Sequence, residues 1–317
     1  MSPRTNASGD MGGSSEAGVV SDKILAATPV AAGAPRKKPR RQWLRGLVAN
    51  PGAFIGGVIL ITMVLTSILA PVVAPYDWNE TFVGPRLSAP SLSHLFGTDI
   101  HGRDLFSRVV YGGRFSLSVG IATVLFSMVF GSLFGVVIAH FGGKIDEFGV
   151  MAIDVMLGFP PIILAILIVA VLGVGLPNVV VAVGIAGIPR FARVVRGATL
   201  GVKSRPFVEA SQSLGAGDWR IILRHLVPNV VAVITVLATL NLASAIISTA
   251  SLSFLGLGAQ PPTPEWGAML NSSREYMRYA PWTMVFPGLA LFLSVMSVNL
   301  LGDRLSEVLD PRVSKRR

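Results

Sequence analysis

The residues able to do covalent or proton-transfer chemistry in this chain are few, and they do not form a catalytic set. Cysteine is absent, which removes disulfides, thiol nucleophiles and cysteine-ligated metals. Neither His-Glu-x-x-His nor Gly-x-Ser-x-Gly occurs. The phosphate-cradling Gly-x-x-x-x-Gly-Lys-Ser/Thr loop is also missing, so the chain cannot hydrolyse ATP by that route. His94 and His101 stand seven apart without a third ligand at suitable spacing, so no metal site is assigned. Asp154 is the one acid inside an expected membrane span; its place near a span end favours a helix-end hydrogen bond over a relay. His140, at another span end with no acid nearby in sequence, reads as structural. What remains is the two-part segment Glu209-Ala-Ser-Gln-Ser-Leu-Gly215 and, nine residues on, His225-Leu-Val-Pro228. Crossing a bilayer requires no such charged, amphipathic insert. It reads as a surface offered to the aqueous phase.

The elements that must position this segment are apolar. Hydrophobic residues make up 51% of the 317-residue chain and charged ones 14%, against roughly 25% charged in ordinary globular proteins. Residues 46–76, 115–143, 155–189, 226–264 and 279–302 carry no Asp, Glu, Lys or Arg. Each run exceeds the ~20 residues that cross a bilayer core. The expected fold is therefore an all-α polytopic membrane protein with about six transmembrane helices. They lie near 53–75, 115–141, 150–172, 178–198, 229–255 and 281–302. Pro71 and Pro75 should close the first, and Pro160-Pro161 should kink the third. The fourth is the least regular, because Arg190, Arg193 and Arg196 fall at helical spacing within it. Either it is short and its arginines snorkel to water, or it does not cross.

Outside these runs, residues 1–35 are rich in Ser, Gly and Ala and read as a disordered tail rather than a signal peptide. Arg36-Lys-Lys-Pro-Arg-Arg41, within a basic juxtamembrane segment 36–52, reads as an anchor facing membrane lipid rather than a nucleic-acid patch, despite the net charge of +10. The domain order continues with a first span and external loop (53–114), a core transmembrane domain (115–302) carrying the 203–228 loop, and a basic C-terminus (303–317). Counting Lys and Arg in alternate connections gives 19 on one side and 6 on the other. That bias places both termini and the 203–228 loop in the cytoplasm.

Within the loop, two short helices are expected. Ser204 can cap the first and Pro206 fits its first turn. Phe207, Ser211 and Leu214 share a face, and Gly215 suits a left-handed stop. Asp218 can cap the second helix, whose Trp219, Ile222, Leu223 and Leu226 form an apolar stripe before Pro228 restarts the chain. Periodicity alone is equally compatible with a helix lying on lipid headgroups.

This segment resembles the EAA loop of bacterial ABC-importer permeases, in which Glu-Ala-Ala, three residues, Gly, nine residues, a hydrophobic residue and Leu-Pro recur. Glu209, Ala210, Gly215 and Pro228 match; Ser211 replaces the second Ala, Val227 replaces Leu, and His225 stands at the hydrophobic position. A second string precedes the second span: Gly97, Asp99, Gly102, Arg103, Asp104, Ser107, Arg108, Tyr111, Gly112 and Arg114. Asp99–Arg103 and Asp104–Arg108 are i,i+4 pairs, which on their own suit a solvated helix. The string is nevertheless similar to the signature of the dipeptide/oligopeptide/nickel permease family, in the C-type subunit. Ser251-Leu-Ser-Phe-Leu-Gly-Leu-Gly258, Pro261-Pro262 and Glu265-Trp-Gly267 resemble that family's last external loop.

The resemblance implies the ABC type I importer transmembrane fold and a membrane-bound transport subunit that is not an enzyme. Its coupling helix would sit in a groove of an ATP-hydrolysing partner, with Phe207 and Leu214 as apolar contacts, Glu209 fixing orientation, and Lys203, Arg205, Arg220 and Arg224 facing acidic rim residues. A homologous second permease, two ATP-binding subunits and an extracytoplasmic solute-binding protein complete the implied assembly, in a bacterial inner membrane. ATP and magnesium would bind those partners, and no cofactor is expected in this chain. Di- or oligopeptides are the implied cargo, with nickel or another small solute as the alternative. An ion-coupled carrier would require several intramembrane titratable groups, and a membrane enzyme would require a nucleophile and base. Asn241, Ser244 and Ser248, at roughly helical spacing in the fifth span, are the candidate pore residues.

Overall fold

The apolar runs become helices, and the computed structural model describes them over residues 50–309. The expected tail (1–35), nearly all of the basic segment 36–52 and the end of 303–317 lie outside the described residues. Eleven α-helices follow in order: α1 Pro51–Ile68, α2 Ala70–Val73, α3 Leu105–Phe141, α4 Gly143–Leu157, α5 Pro161–Leu172, α6 Leu176–Lys203, α7 Pro206–Ser213, α8 Asp218–Ile221, α9 Val227–Phe254, α10 Trp266–Ser273 and α11 Trp282–Leu309. A π-helical turn, Ile222–Leu226, joins α8 to α9 without a break. Among the described residues, five helices are long and apolar enough to cross a membrane, and the bent pair α4–α5 makes a sixth candidate.

Three spans differ from expectation. The paired prolines break the third rather than kink it: α4 and α5 meet at 93°. Proline disfavours helical geometry in the residue before it, and Pro160 has the extended ψ of 127° ahead of Pro161. The fourth is neither short nor doubtful in length. Its 28 residues give about 42 Å of helix. The second begins ten residues early, at Leu105, because Asp104 caps it by accepting from Ser107 N–H at 2.8 Å.

Close approach of small residues holds the bundle together. A Cβ added at Gly135 of α3 would stand 2.5 Å from Ala192 O of α6, and one at Gly131 would stand 2.6 Å from Phe191 Cβ. One apolar cluster joins α3, α9, α10 and α11 through Leu105, Leu117, Ile246, Trp266 and Val298. A second joins α3, α6, α7, α8 and α9 through Val136, Val195, Val208, Ile221, Ile222 and Val230.

Candidate functional site

The Pro206–Leu226 loop is built as a seated hairpin of short helices. Pro206 occupies the first turn of α7, and Gly215 at φ +78° turns the chain after the helix ends. Ser204 does not cap α7. It ends α6 instead, and Arg205 is the N-cap without a side-chain bond. Asp218 likewise lies inside the first turn of α8, with Gly217 as N-cap; its Oδ1 pairs with His140 Nε2 at 2.9 Å. The histidine that lacked a local acid thus meets one 78 residues away.

The seat is Val208, fully buried against Val136, Val202, Ile221, Ile222 and Leu226. Val208 lies about a quarter-turn from the Phe207–Leu214 face, so the apolar pattern of that face does not mark it; its one local sign is its own apolar side chain. Phe207 and Leu214 are exposed, Leu214 by 89%, as are Glu209 and Ala210. The expected stripe on the second helix splits. Ile222 and Leu226 are buried, whereas Trp219 and Leu223 are exposed and the buried partner is Ile221. The π turn explains this. Pro228 offers no N–H to Arg224 O and its ring would press on that carbonyl in a regular helix. A wide turn, in which Val227 N–H reaches back to Ile222 O, relieves it and resets the register. Asn229 Nδ2 then donates to His225 O at 2.7 Å.

Two of the three departures from the EAA pattern meet: Ser211 Oγ and His225 Nε2 lie 3.2 Å apart, beside the Phe207 ring. Lys203 does not face outward as expected. Its Nζ donates to Ala139 O and His140 O at 3.2 and 2.6 Å, closing the C-terminus of α3. Arg205, Arg220 and Arg224 are exposed.

At the far end, the expected solvated helix over 99–108 is instead a buried latch. Asp99 accepts from Arg103 Nε at 2.6 Å and lies 3.6 Å from Arg108, outside any helix. Asp104 pairs with His94 Nδ1 at 2.9 Å rather than with Arg108. Arg108, 5% exposed, donates to Trp78 O and Pro262 O at 2.9 and 3.2 Å, and so joins both external loops. Gly97 at φ +77° lies against the Trp282 ring, and Gly102 also has positive φ. Gly112 packs on Trp266, Tyr111 carries the Arg114 guanidinium over its ring, and Arg114 Nε donates to Ser67 O at 2.6 Å. Glu265 caps α10 by accepting from Gly267 and Ala268 N–H, and Ser116 donates to it. Burial pushes its carboxyl up, against the lowering effect of those N–H groups. Arg108→Met removes three anchoring contacts and should lower stability by about 2–3 kcal/mol. A thermal midpoint in detergent equal to wild type would show the latch carries no strain between the loops.

Between these ends lies a cavity of about 170 Å³. Asn241, Ser244 and Ser248 line it, with Thr123, Ser127 and Arg190 beside them. By spacing alone Arg190 reads as the basic end of a short span, which does not mark it as a cavity residue. It lies mid-helix, and its Nη1 donates to Asn241 Oδ1 at 2.8 Å. Arg193 pairs with Asp154, and Arg196 with Asp146 at 2.6 Å, so neither snorkels alone.

A family model described as the binding-protein-dependent transport system inner membrane component matches residues 131–315, more than half of the chain. The chain belongs to that family. A second model, the N-terminal TM domain of oligopeptide transport permease C, matches residues 38–90. Among relatives of this permease is a glutathione transport system permease protein from Pectobacterium atrosepticum, 43% identical, with 92% of this chain and 97% of that one covered. A dipeptide transport system permease protein from Alkalihalophilus pseudofirmus is 42% identical, with 87% and 90% covered. Among solved structures, an inward-facing MetNI methionine ABC transporter chain superposes with a TM-score of 0.54 at 21% identity, over 65% of this permease and 98% of that chain. That likeness shows the importer transmembrane fold. The matched region of the first model contains the 203–228 loop, both ion-paired arginines of α6 and the cavity residues Arg190, Asn241, Ser244 and Ser248.

Proposed function

We propose that this permease carries peptide-class solutes across the inner membrane as one half of a translocation path completed by a homologous permease. Two ATP-hydrolysing subunits, which bind ATP and magnesium, dock on the Pro206–Leu226 loop, and an extracytoplasmic binding protein delivers the solute. The chain itself is a transport subunit and not an enzyme, and it holds no cofactor. Both termini face the cytoplasm. Relatives named for glutathione and dipeptide transport support a peptide cargo over nickel or another small solute. The pairing of Asp154 with Arg193 argues against a free carboxylate relay of the kind an ion-coupled carrier needs.

One observation carries the mechanical part. α8, the π turn and α9 run continuously from Asp218 to Phe254. Those 37 residues span about 55 Å. The seated loop is at one end and Asn241, Ser244 and Ser248 lie farther along the same rod. A partner that grips exposed Phe207, Leu214, Trp219 and Leu223 therefore moves the cavity wall directly. Glu209 supplies an exposed anion to fix the grip, and the Gly215 turn lets α7 protrude.

The test is ATP-driven uptake of a dipeptide by the full assembly in proteoliposomes, with Glu209→Ala combined with Gly215→Pro. Proline cannot adopt φ +78°. Uptake should fall at least about tenfold with the membrane helices still folded, the loss of a few hydrogen-bond equivalents. Unaltered association of the ATP-binding subunits and unaltered uptake would refute the coupling role.

A further inference from the structure

Helix α6 carries three arginines at helical spacing, and they are treated differently. Arg193 and Arg196 are neutralised by Asp154 and Asp146. Arg190 has no acidic partner among the described residues; its one hydrogen bond is to the amide oxygen of Asn241. It is exposed to the cavity and is the one charged side chain among the residues lining it. Arg190 also lies fourteen residues from Leu176 in a helix of 28, about 21 Å along its axis and so near mid-depth. A charge there is costly unless something compensates it.

The wall around it is mixed, with apolar side chains such as Leu157, Ile162 and Phe191 beside a group of polar ones, which suits a solute carrying both a charge and apolar side chains. Asn241, Ser244, Ser248, Thr123 and Ser127 line the same space, all small and polar. A guanidinium presents five N–H donors in a planar fork suited to a carboxylate, and only one is engaged here. We infer that Arg190 is a carboxylate-recognising residue of the path: it takes the C-terminal carboxylate of a peptide in transit, with Asn241 holding the guanidinium in place between passages. This rests on the peptide-import reading above. It adds a specificity determinant in the membrane to any selection made by a binding protein.

The full assembly is reconstituted with ATP, and uptake of the dipeptide Ala-Phe is compared across variants. Arg190→Gln should lower the rate about tenfold, the loss of one charge-assisted interaction, and Arg190→Lys should restore most of it. Asn241→Asp places a resident carboxylate 2.8 Å from the guanidinium in the position of the amide oxygen. It should block uptake while the subunits still associate, and it decides the matter if the Arg190 variants fail to assemble. Wild-type rates in Arg190→Gln or in Asn241→Asp, or equal loss in the Gln and Lys variants, would overturn the inference alone. A wild-type assembly that takes up no dipeptide would overturn the peptide reading, and the inference with it.

Discussion

Val208→Asp is expected to abolish ATP-driven uptake while leaving the membrane helices inserted. Val208 is fully buried in the cluster that joins α7 to α3, α6 and α8. An aspartate there must either bury an unpaired carboxylate, at a cost of several kcal/mol, or swing α7 off its seat. The second outcome is cheaper, because α7 is only eight residues long and is held largely by that one side chain. Val208→Ala, which removes two methyl groups and costs about 2 kcal/mol or less, should keep most of the activity. The measurement is uptake together with retention of the ATP-binding subunits on tagged permease. Wild-type uptake by Val208→Asp would mean that the seat transmits nothing. The contrast with Leu214 is instructive: that residue is the most exposed large hydrophobic of the loop, so its effect belongs to docking and not to stability.

Gly135→Leu should be the most damaging change within the membrane. The nearest atom to a Cβ at that position is a backbone carbonyl oxygen, Ala192 O at 2.5 Å. A backbone atom cannot rotate away as a side chain can, so α3 and α6 must separate. Overpacking costs about 1–3 kcal/mol in cores that can adjust. Here the displaced contact also carries Phe191 and the Asp146–Arg196 pair toward misalignment. Loss of monodisperse protein on size exclusion, or a large fall in thermal midpoint, is the expected result. A well-folded Gly135→Leu protein would show that the two helices meet less closely than described. Gly197 of α6, where an added Cβ meets nothing within 4 Å and the backbone is helical, is the matched control site.

The loop shows how far local pattern reaches. Pro206, Gly215 and the alternation of polar and apolar residues announced two short helices with a turn between them, and the chain folds that way. The apolar stripe on the second helix was misread because a single wide turn shifts every later side chain relative to a 3.6-residue period. Nothing in residues 218–226 signals the widening; its cause is Pro228, just beyond them. The capping assignments failed similarly. Asp218 is an apt N-cap by residue type, but His140 offers it a partner from another helix.

The external string illustrates the opposite error. Asp99, Arg103, Asp104 and Arg108 are charged, and charge is normally a sign of solvent. Two loops fold over them, and Arg108 becomes a tie between carbonyls 184 residues apart in the chain, Trp78 O and Pro262 O. No spacing rule reports such a closure.

By itself the sequence determined that this is an all-α membrane protein, which apolar runs become its spans, and which loop departs from a lipid-embedded pattern. These are properties of hydropathy and turn chemistry, which act over a helix length or less. Only the tertiary structure decided that Val208 is the seat of that loop, that Arg193 and Arg196 are neutralised while Arg190 faces a cavity, and that the loop continues without a break into the helix lining it. Each depends on which distant helix supplies the neighbour. Burial and charge pairing are relations between residues far apart in the chain, and the fold alone brings them together.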